Sequence, residues 1–143
     1  MKVLLDTNVL LDTIEARREF FDDSSMVVLL AAEYDGFIAA TGVTDIYYIE
    51  HKRNHSKEKT KAIMNKLFKL FNILDTTSED CRNALRSDIS DYEDAILVES
   101  AKRNNIECIV TRNVKDFKDS NIPVYTPVKF LELLREKSRI AKR

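Results

Sequence analysis

Short apolar runs along the chain alternate with longer stretches of helical spacing. The runs Lys2–Leu5, Gly36–Ala40, Asn72–Leu74, Cys108–Val110 and Pro123–Tyr125 are brief and rich in β-branched or bulky apolar residues, and they predict strands. Between them, Phe20, Val27, Leu30 and Ala31 mark one face of a helix. Ile46 and Ile49, with Tyr47 and Tyr48, belong to a second. Ile63, Leu67, Leu70 and Phe71 follow i, i+4, i+7, i+8, with lysines mostly opposite. Ser78 before Glu79 and Asp80, and Ser90 before Asp91 and Glu93, read as helix N-caps with first-turn acids. Val128, Leu131 and Leu134, with Phe130 beside them, give a last amphipathic helix just after Pro127. Strands alternating with helices imply βαβ units and a parallel sheet of about five strands, covered on both faces. No repeat or linker divides the sequence, so one domain is expected over 1–143.

Composition narrows the class. A chain of 143 residues fits one domain, and 44% apolar with 33% charged residues argues for a real core under a charged surface, against disorder. Two glycines and two prolines exclude collagen-like sequence and disfavour a loop-rich all-β fold. Cys81 and Cys108 are too few for a disulfide scaffold or a cysteine zinc site, and are expected as buried thiols of a reducing compartment. The first strand starts almost at Met1 with no basic n-region, and the longest apolar run, Met26–Ala32, is far too short to span a bilayer. A cytoplasmic protein without a membrane segment is the expectation.

Net charge is −1, so no bulk attraction to a polyanion is expected, but its distribution is uneven. Lys52, Arg53, Lys57, Lys59, Lys61, Lys66 and Lys69 face a single acid, Glu58, within their segment. Asp75, Glu79, Asp80, Asp88, Asp91, Glu93 and Asp94 then reverse the balance, with only Arg82 and Arg86 against them. Solvated helix faces would account for such runs. So would an acidic pocket for a metal, flanked by basic surface for a phosphate backbone. Charge alone does not choose between them.

A parallel sheet binds ligands where loops converge at the carboxyl ends of its strands. Asp6 ends the first run, and Thr111 and Asn113 follow the fourth, with Asp116 three residues further. Asp45 falls in the first turn of the helix after the second run, and Asp91 and Asp94 lie about one helical turn apart. Taken singly, Asp6 and Asp45 read as helix caps and Asp94 as a solvated acid. Brought together, such acids repel one another, and a divalent cation relieves the repulsion. Oxygen ligands without His or Cys select hard ions such as Mg²⁺ or Mn²⁺, which can activate water against a phosphodiester.

Four stretches carry a resemblance. Lys2-Val3-Leu4-Leu5-Asp6-Thr7-Asn8-Val9-Leu10-Leu11-Asp12 resembles the opening motif of the PIN domain family of ribonucleases. Thr41-Gly42-Val43-Thr44-Asp45-Ile46-Tyr47-Tyr48-Ile49 is similar to the second motif, with Asp45 where the family usually has Glu. Asp91-Tyr92-Glu93-Asp94-Ala95-Ile96 resembles the third motif, and Thr111-Arg112-Asn113-Val114-Lys115-Asp116-Phe117 the fourth. The order holds from Met1 to about Leu134.

The resemblance implies a three-layer α/β/α sandwich and a metal-dependent endoribonuclease, the toxin of a toxin–antitoxin pair of the VapC type, kept silent by a cognate antitoxin and often dimeric. It places the catalytic acids at Asp6, Asp45, Asp94 and Asp116, with Mg²⁺ or Mn²⁺ on Asp6, Asp94 and Asp116. Asn8, Thr111 and Asn113 match arranging positions, and Asp91 an auxiliary acid. Asp45 is one methylene shorter than Glu, so water would bridge it to a cation. Lys52, Arg53, Lys57, Lys59 and Lys61 are candidate RNA contacts. His51 and His55 are expected to face solvent, and Tyr47 and Tyr48 to serve as core or dimer surface. The alternative is a degenerate PIN module that binds RNA or protein without cutting. A haloacid-dehalogenase phosphatase is disfavoured because Asp6 is followed by Thr7 and Asn8. Dinucleotide binding lacks a Gly-rich loop.

Overall fold

The computed structural model describes residues 1–142. Five strands form one sheet in the order β3-β2-β1-β4-β5, with β1 Lys2–Leu5, β2 Asp35–Ala39, β3 Asn72–Leu74, β4 Cys108–Val110 and β5 Val124–Tyr125. Every neighbouring pair is parallel. The strands therefore all end at one edge, and β1 and β4, in register at Leu5 and Val110, lie side by side at its centre.

Among the described residues seven α-helices accompany them, the last following β5: α1 Thr7–Ile14, α2 Phe21–Glu33, α3 Ala40–Asn54, α4 Lys57–Leu70, α5 Ser78–Ala84, α6 Tyr92–Arg103 and α7 Pro127–Ala141, with a 3₁₀ turn at Val114–Phe117. The pleat divides the core into two layers. Val3, Leu5, Cys108 and Val110 face one way and join apolar residues of α1, α2, α3, α4 and α7. Leu4 and Ile109 face the other way, onto Ala95, Val98 and Ala101 of α6. The protein is thus the α/β/α sandwich that the resemblance implies, built on the covered parallel sheet that the strand–helix alternation implies.

The predicted strands match closely, with β2 starting and ending one residue earlier and β5 beginning after Pro123. Local details differ. Thr77, not Ser78, caps α5, in a reciprocal capping box with Asp80, and Asp91 rather than Ser90 caps α6. Phe20 and Leu70 leave the predicted core faces and are exposed, because Phe20 precedes the first turn of α2 and Leu70 closes α4 just before buried Phe71. Cys108 is buried, whereas Cys81 on α5 is only half-buried. Tyr47 packs against the core while Tyr48 is exposed. His51 is half-buried with its ring stacked on Tyr47, and His55 is exposed in a left-handed conformation that ends α3. Among the described residues, no helix is long and apolar enough to cross a membrane.

Candidate active site

Asp6 leaves β1 with extended backbone and caps α1. Its Oδ1 accepts the Thr7 N–H at 2.8 Å. Its Oδ2 accepts the Thr111 hydroxyl at 2.7 Å and the Asn8 amide at 3.3 Å. Thr111 directly follows β4 and is fully buried, so the central strand pair brings it opposite Asp6. The Thr111 oxygen also accepts the Asn113 N–H at 3.0 Å, and Asn8 Oδ1 accepts the Arg112 N–H at 3.3 Å. The three arranging positions therefore form one network around the Asp6 carboxylate.

Asp94 reaches the same edge from α6. The Asp91 cap accepts the Asp94 N–H at 2.9 Å, which starts the helix and places Asp94 in its first turn. Asp6, Thr7, Thr41, Gly42, Glu93 and Asp94 line a cavity of about 30 Å³. That volume holds a water or an ion and excludes an organic cofactor. Gly42 leaves room for the Thr7 side chain: a Cβ there would sit 2.5 Å from the Thr7 hydroxyl and force it to move, so glycine lets α3 start close to α1 with Thr7 in place.

The electrostatics describe an acidic cluster that Arg112 only partly compensates. Burial, followed by the charges of Asp91, Asp6, Asp116 and Glu93, pushes the Asp94 carboxyl up to about 7. Asp6 is also raised, by burial first and by Asp116, although the Thr111 and Thr7 hydrogen bonds and the Arg112 charge oppose the rise. Glu93 is raised by burial and then by Asp45, Asp91 and Asp6. Asp6, Asp94 and Asp116, from three separate stretches of chain, thus act on one another. Asp45 stands apart: it lies in the second turn of α3 rather than the first, is exposed, and acts on Glu93. Lys52, Arg53, Lys57, Lys59 and Lys61 cluster around the α3–α4 corner, with Lys52 about 18 Å of helix beyond Ala40.

The donors suit a hard cation, being carboxylate, hydroxyl and amide oxygens. Among the described residues, no three carboxylate, imidazole or thiol groups converge tightly enough to hold a metal ion by themselves. A cation fitting this cleft is therefore one that keeps several waters, as Mg²⁺ does.

Three contributors were not singled out from the sequence. Glu93 lines the cavity, and its signal was its place between Asp91 and Asp94. Asp12 and Arg112 form an ion pair at 2.7 Å between α1 and the loop after β4. No local pattern announces that pair, since its members are 100 residues apart.

A PIN domain family model matches residues 2–115. No curated protein matches the chain. Among solved structures, the chain resembles a toxin–antitoxin complex from Klebsiella pneumoniae at 25% identity and a TM-score of 0.65, over 87% of this chain and 97% of that one. It also resembles VapBC2 from Rickettsia felis bound to a DNA fragment from its promoter, at 18% identity and a TM-score of 0.65, over 87% and 97%. DNA-bound VapBC from Salmonella typhimurium matches at 19% identity and a TM-score of 0.65, over 89% and 98%. With the family match spanning the first three acidic motifs and reaching Lys115 of the fourth, and the sheet edge gathering Asp6 and Asp94 into one cleft, the chain belongs to the PIN domain family.

Proposed function

We propose that the chain is a metal-dependent endoribonuclease that hydrolyses RNA phosphodiester bonds, acting as one nuclease domain over residues 1–143. The observation that carries this reading is the gathering of Asp6 and Asp94 in one cleft at the carboxyl edge of the sheet, within reach of the charge of Asp116. A counter-cation would relieve the mutual repulsion that helps raise Asp94 and Asp6. Asp6, Asp94 and Asp116 would hold Mg²⁺ or Mn²⁺, which supplies Lewis acidity toward a phosphodiester and lowers the pKa of water. Thr111 and Asn8 orient the Asp6 carboxylate, Asn113 braces Thr111, and Asp91 fixes the start of α6 beneath Asp94. Asp45 takes an outer role through water, as its exposed position supports.

The toxin–antitoxin complexes among the similar structures support a further part of the proposal: this chain is the toxin of such a pair, acts in the cytoplasm and binds a cognate antitoxin. A homodimer is the proposed assembly, with exposed Tyr48, Ile49 and Phe68 of α3 and α4 offering apolar surface to a second copy.

The test is incubation of the purified protein with mixed cellular RNA in Mg²⁺, Mn²⁺ or excess EDTA. Cleavage with either ion, lost in EDTA and in Asp94→Asn, is the expected result. Full activity in EDTA would refute the metal requirement. The exposed position of Asp45 and the open spacing of the acids favour one second reading, a module that binds RNA without cutting. RNA retained intact in Mn²⁺ would establish it.

A further inference from the structure

Asp12 is a fully buried carboxylate outside the acidic cleft. It lies four residues after Asn8 on α1, so both side chains project from one face of the helix. Asp12 Oδ2 accepts the Arg112 Nε–H at 2.7 Å, and Oδ1 accepts from the second arm of the same guanidinium at 3.2 Å. Ser24 of α2 donates to Oδ2 at 3.2 Å, and Arg17 approaches Oδ1 at 3.4 Å. The Arg112 guanidinium also lies 4.0 Å over the centre of the Phe20 ring.

The loop after β4 is therefore held to α1 at two points one helical turn apart. Asn8 takes the Arg112 backbone N–H, and Asp12 takes the Arg112 side chain. That loop carries Thr111, which donates to Asp6, and it leads through Asn113 to Asp116, whose charge reaches both Asp6 and Asp94. A bidentate fork fixes direction as well as distance, which a single point contact does not. From this geometry we infer that Asp12 and Arg112 are positioning residues, whose buried ion pair sets the orientation of the Thr111–Asp116 loop toward the acidic cleft. Neither touches the reacting atoms, and the role rests on the nuclease reading of that cleft.

A buried ion pair could instead serve stability alone, so the test separates the two. Arg112→Lys keeps the charge and removes the fork, and Asp12→Asn keeps hydrogen-bonding atoms and removes the charge. Met64→Ala on α4, which carries no cleft residue, serves as a control for general destabilisation. Each protein is measured for melting temperature, for amide hydrogen exchange across 111–116 without metal, for Mn²⁺ affinity, and for kcat and KM on RNA.

Positioning predicts that Arg112→Lys remains folded, exchanges faster across 111–116, and loses Mn²⁺ affinity and kcat by about 10–100-fold, the range typical of lost outer-shell support, with KM little changed. Met64→Ala should match or exceed its drop in melting temperature with Mn²⁺ affinity unmoved. If Arg112→Lys fails to fold, the same pattern in Asp12→Asn carries the inference. Variants that differ from the wild type only in melting temperature overturn the inference and leave the nuclease reading intact. A wild type that neither binds Mn²⁺ nor cuts RNA overturns both.

Discussion

The charge state of Asp94 ties the cleft to the stability of the whole protein. In the folded, metal-free protein its carboxyl sits at about 7, against an ordinary value of 3.8. Between those values the folded state holds a proton that the unfolded chain has released. The stabilisation is fully present below about pH 4 and is lost as pH rises through about 7. Asp94→Asn removes this dependence. Its melting temperature, measured without metal, should exceed that of the wild type at pH 7, and the two should converge near pH 4. A lower value for Asp94→Asn at both pH values would make Asp94 a structural residue. Asp45 tests the other end of the cluster. Because it is exposed and acts on Glu93 rather than on Asp6, Asp45→Ala should reduce RNA cleavage less than Asp6→Ala does. Equal losses in an activity assay would give it an inner role. At this scale much of the candidate site was legible, since Asp6, Asp94 and Thr111 stand at strand ends or helix starts that a βαβ pattern locates. Glu93 was hidden by its neighbours, for three acids in four positions do not say which face the cavity. Asp12 and Arg112 were hidden for a different reason: a buried ion pair is a tertiary choice of partner, and sequence spacing does not encode it.

Elements were legible where burial sets a simple period. β1 and β4 lie at the middle of the sheet, are covered on both faces and read as continuous apolar runs. Helix starts were less legible, because Thr77 and Ser78, or Ser90 and Asp91, are adjacent residues that can each serve as an N-cap. Tertiary contacts made the choice at α5. Asp80 accepts the Thr77 N–H at 2.9 Å, is nearly fully buried, and is gripped by Arg103 at 2.9 Å and by the Ser100 hydroxyl at 3.0 Å. Burial pushes its carboxyl up, but Arg103 and the hydrogen bonds from Thr77 and Ser100 outweigh burial and hold it at about 2. A depressed carboxyl stabilises the fold above its ordinary value of 3.8, and the gain is lost as pH falls through about 2. Asp80→Asn should therefore cost roughly 1–2 kcal/mol at pH 7, the scale of a lost cap and charged hydrogen bond. The deficit relative to wild type should shrink in denaturant melts as pH approaches 2. A constant deficit would assign the effect to packing rather than to charge. This window lies below the one governed by Asp94, so the two groups can be told apart in one pH series.

At the scale of the whole molecule, the acids of the cleft and the basic run lie on different elements. The acids gather at the carboxyl edge of the sheet, whereas Lys52, Arg53, Lys57, Lys59 and Lys61 sit around the α3–α4 corner. The sequence showed both charge runs but not their separation, because the length and direction of α3 determine how far the basic corner stands from the cleft. That separation changes what the basic residues can do. They do not line the cleft, so they cannot stabilise charge at a bond broken there. They can hold a flanking part of a long RNA by phosphate contacts, which add affinity without sequence information and weaken with salt. The joint substitution Lys57→Glu, Lys59→Glu and Lys61→Glu should therefore weaken binding of a long single-stranded RNA at low salt and flatten its salt dependence. An oligonucleotide too short to reach from the cleft to the corner should bind the variant and the wild type alike. Binding titrations over a range of salt and RNA length decide the matter. Equal losses for short and long RNA would mean that reversing the charge perturbs the cleft itself. No loss for either would leave the corner as a solvated surface, with RNA held by the cleft and its immediate rim.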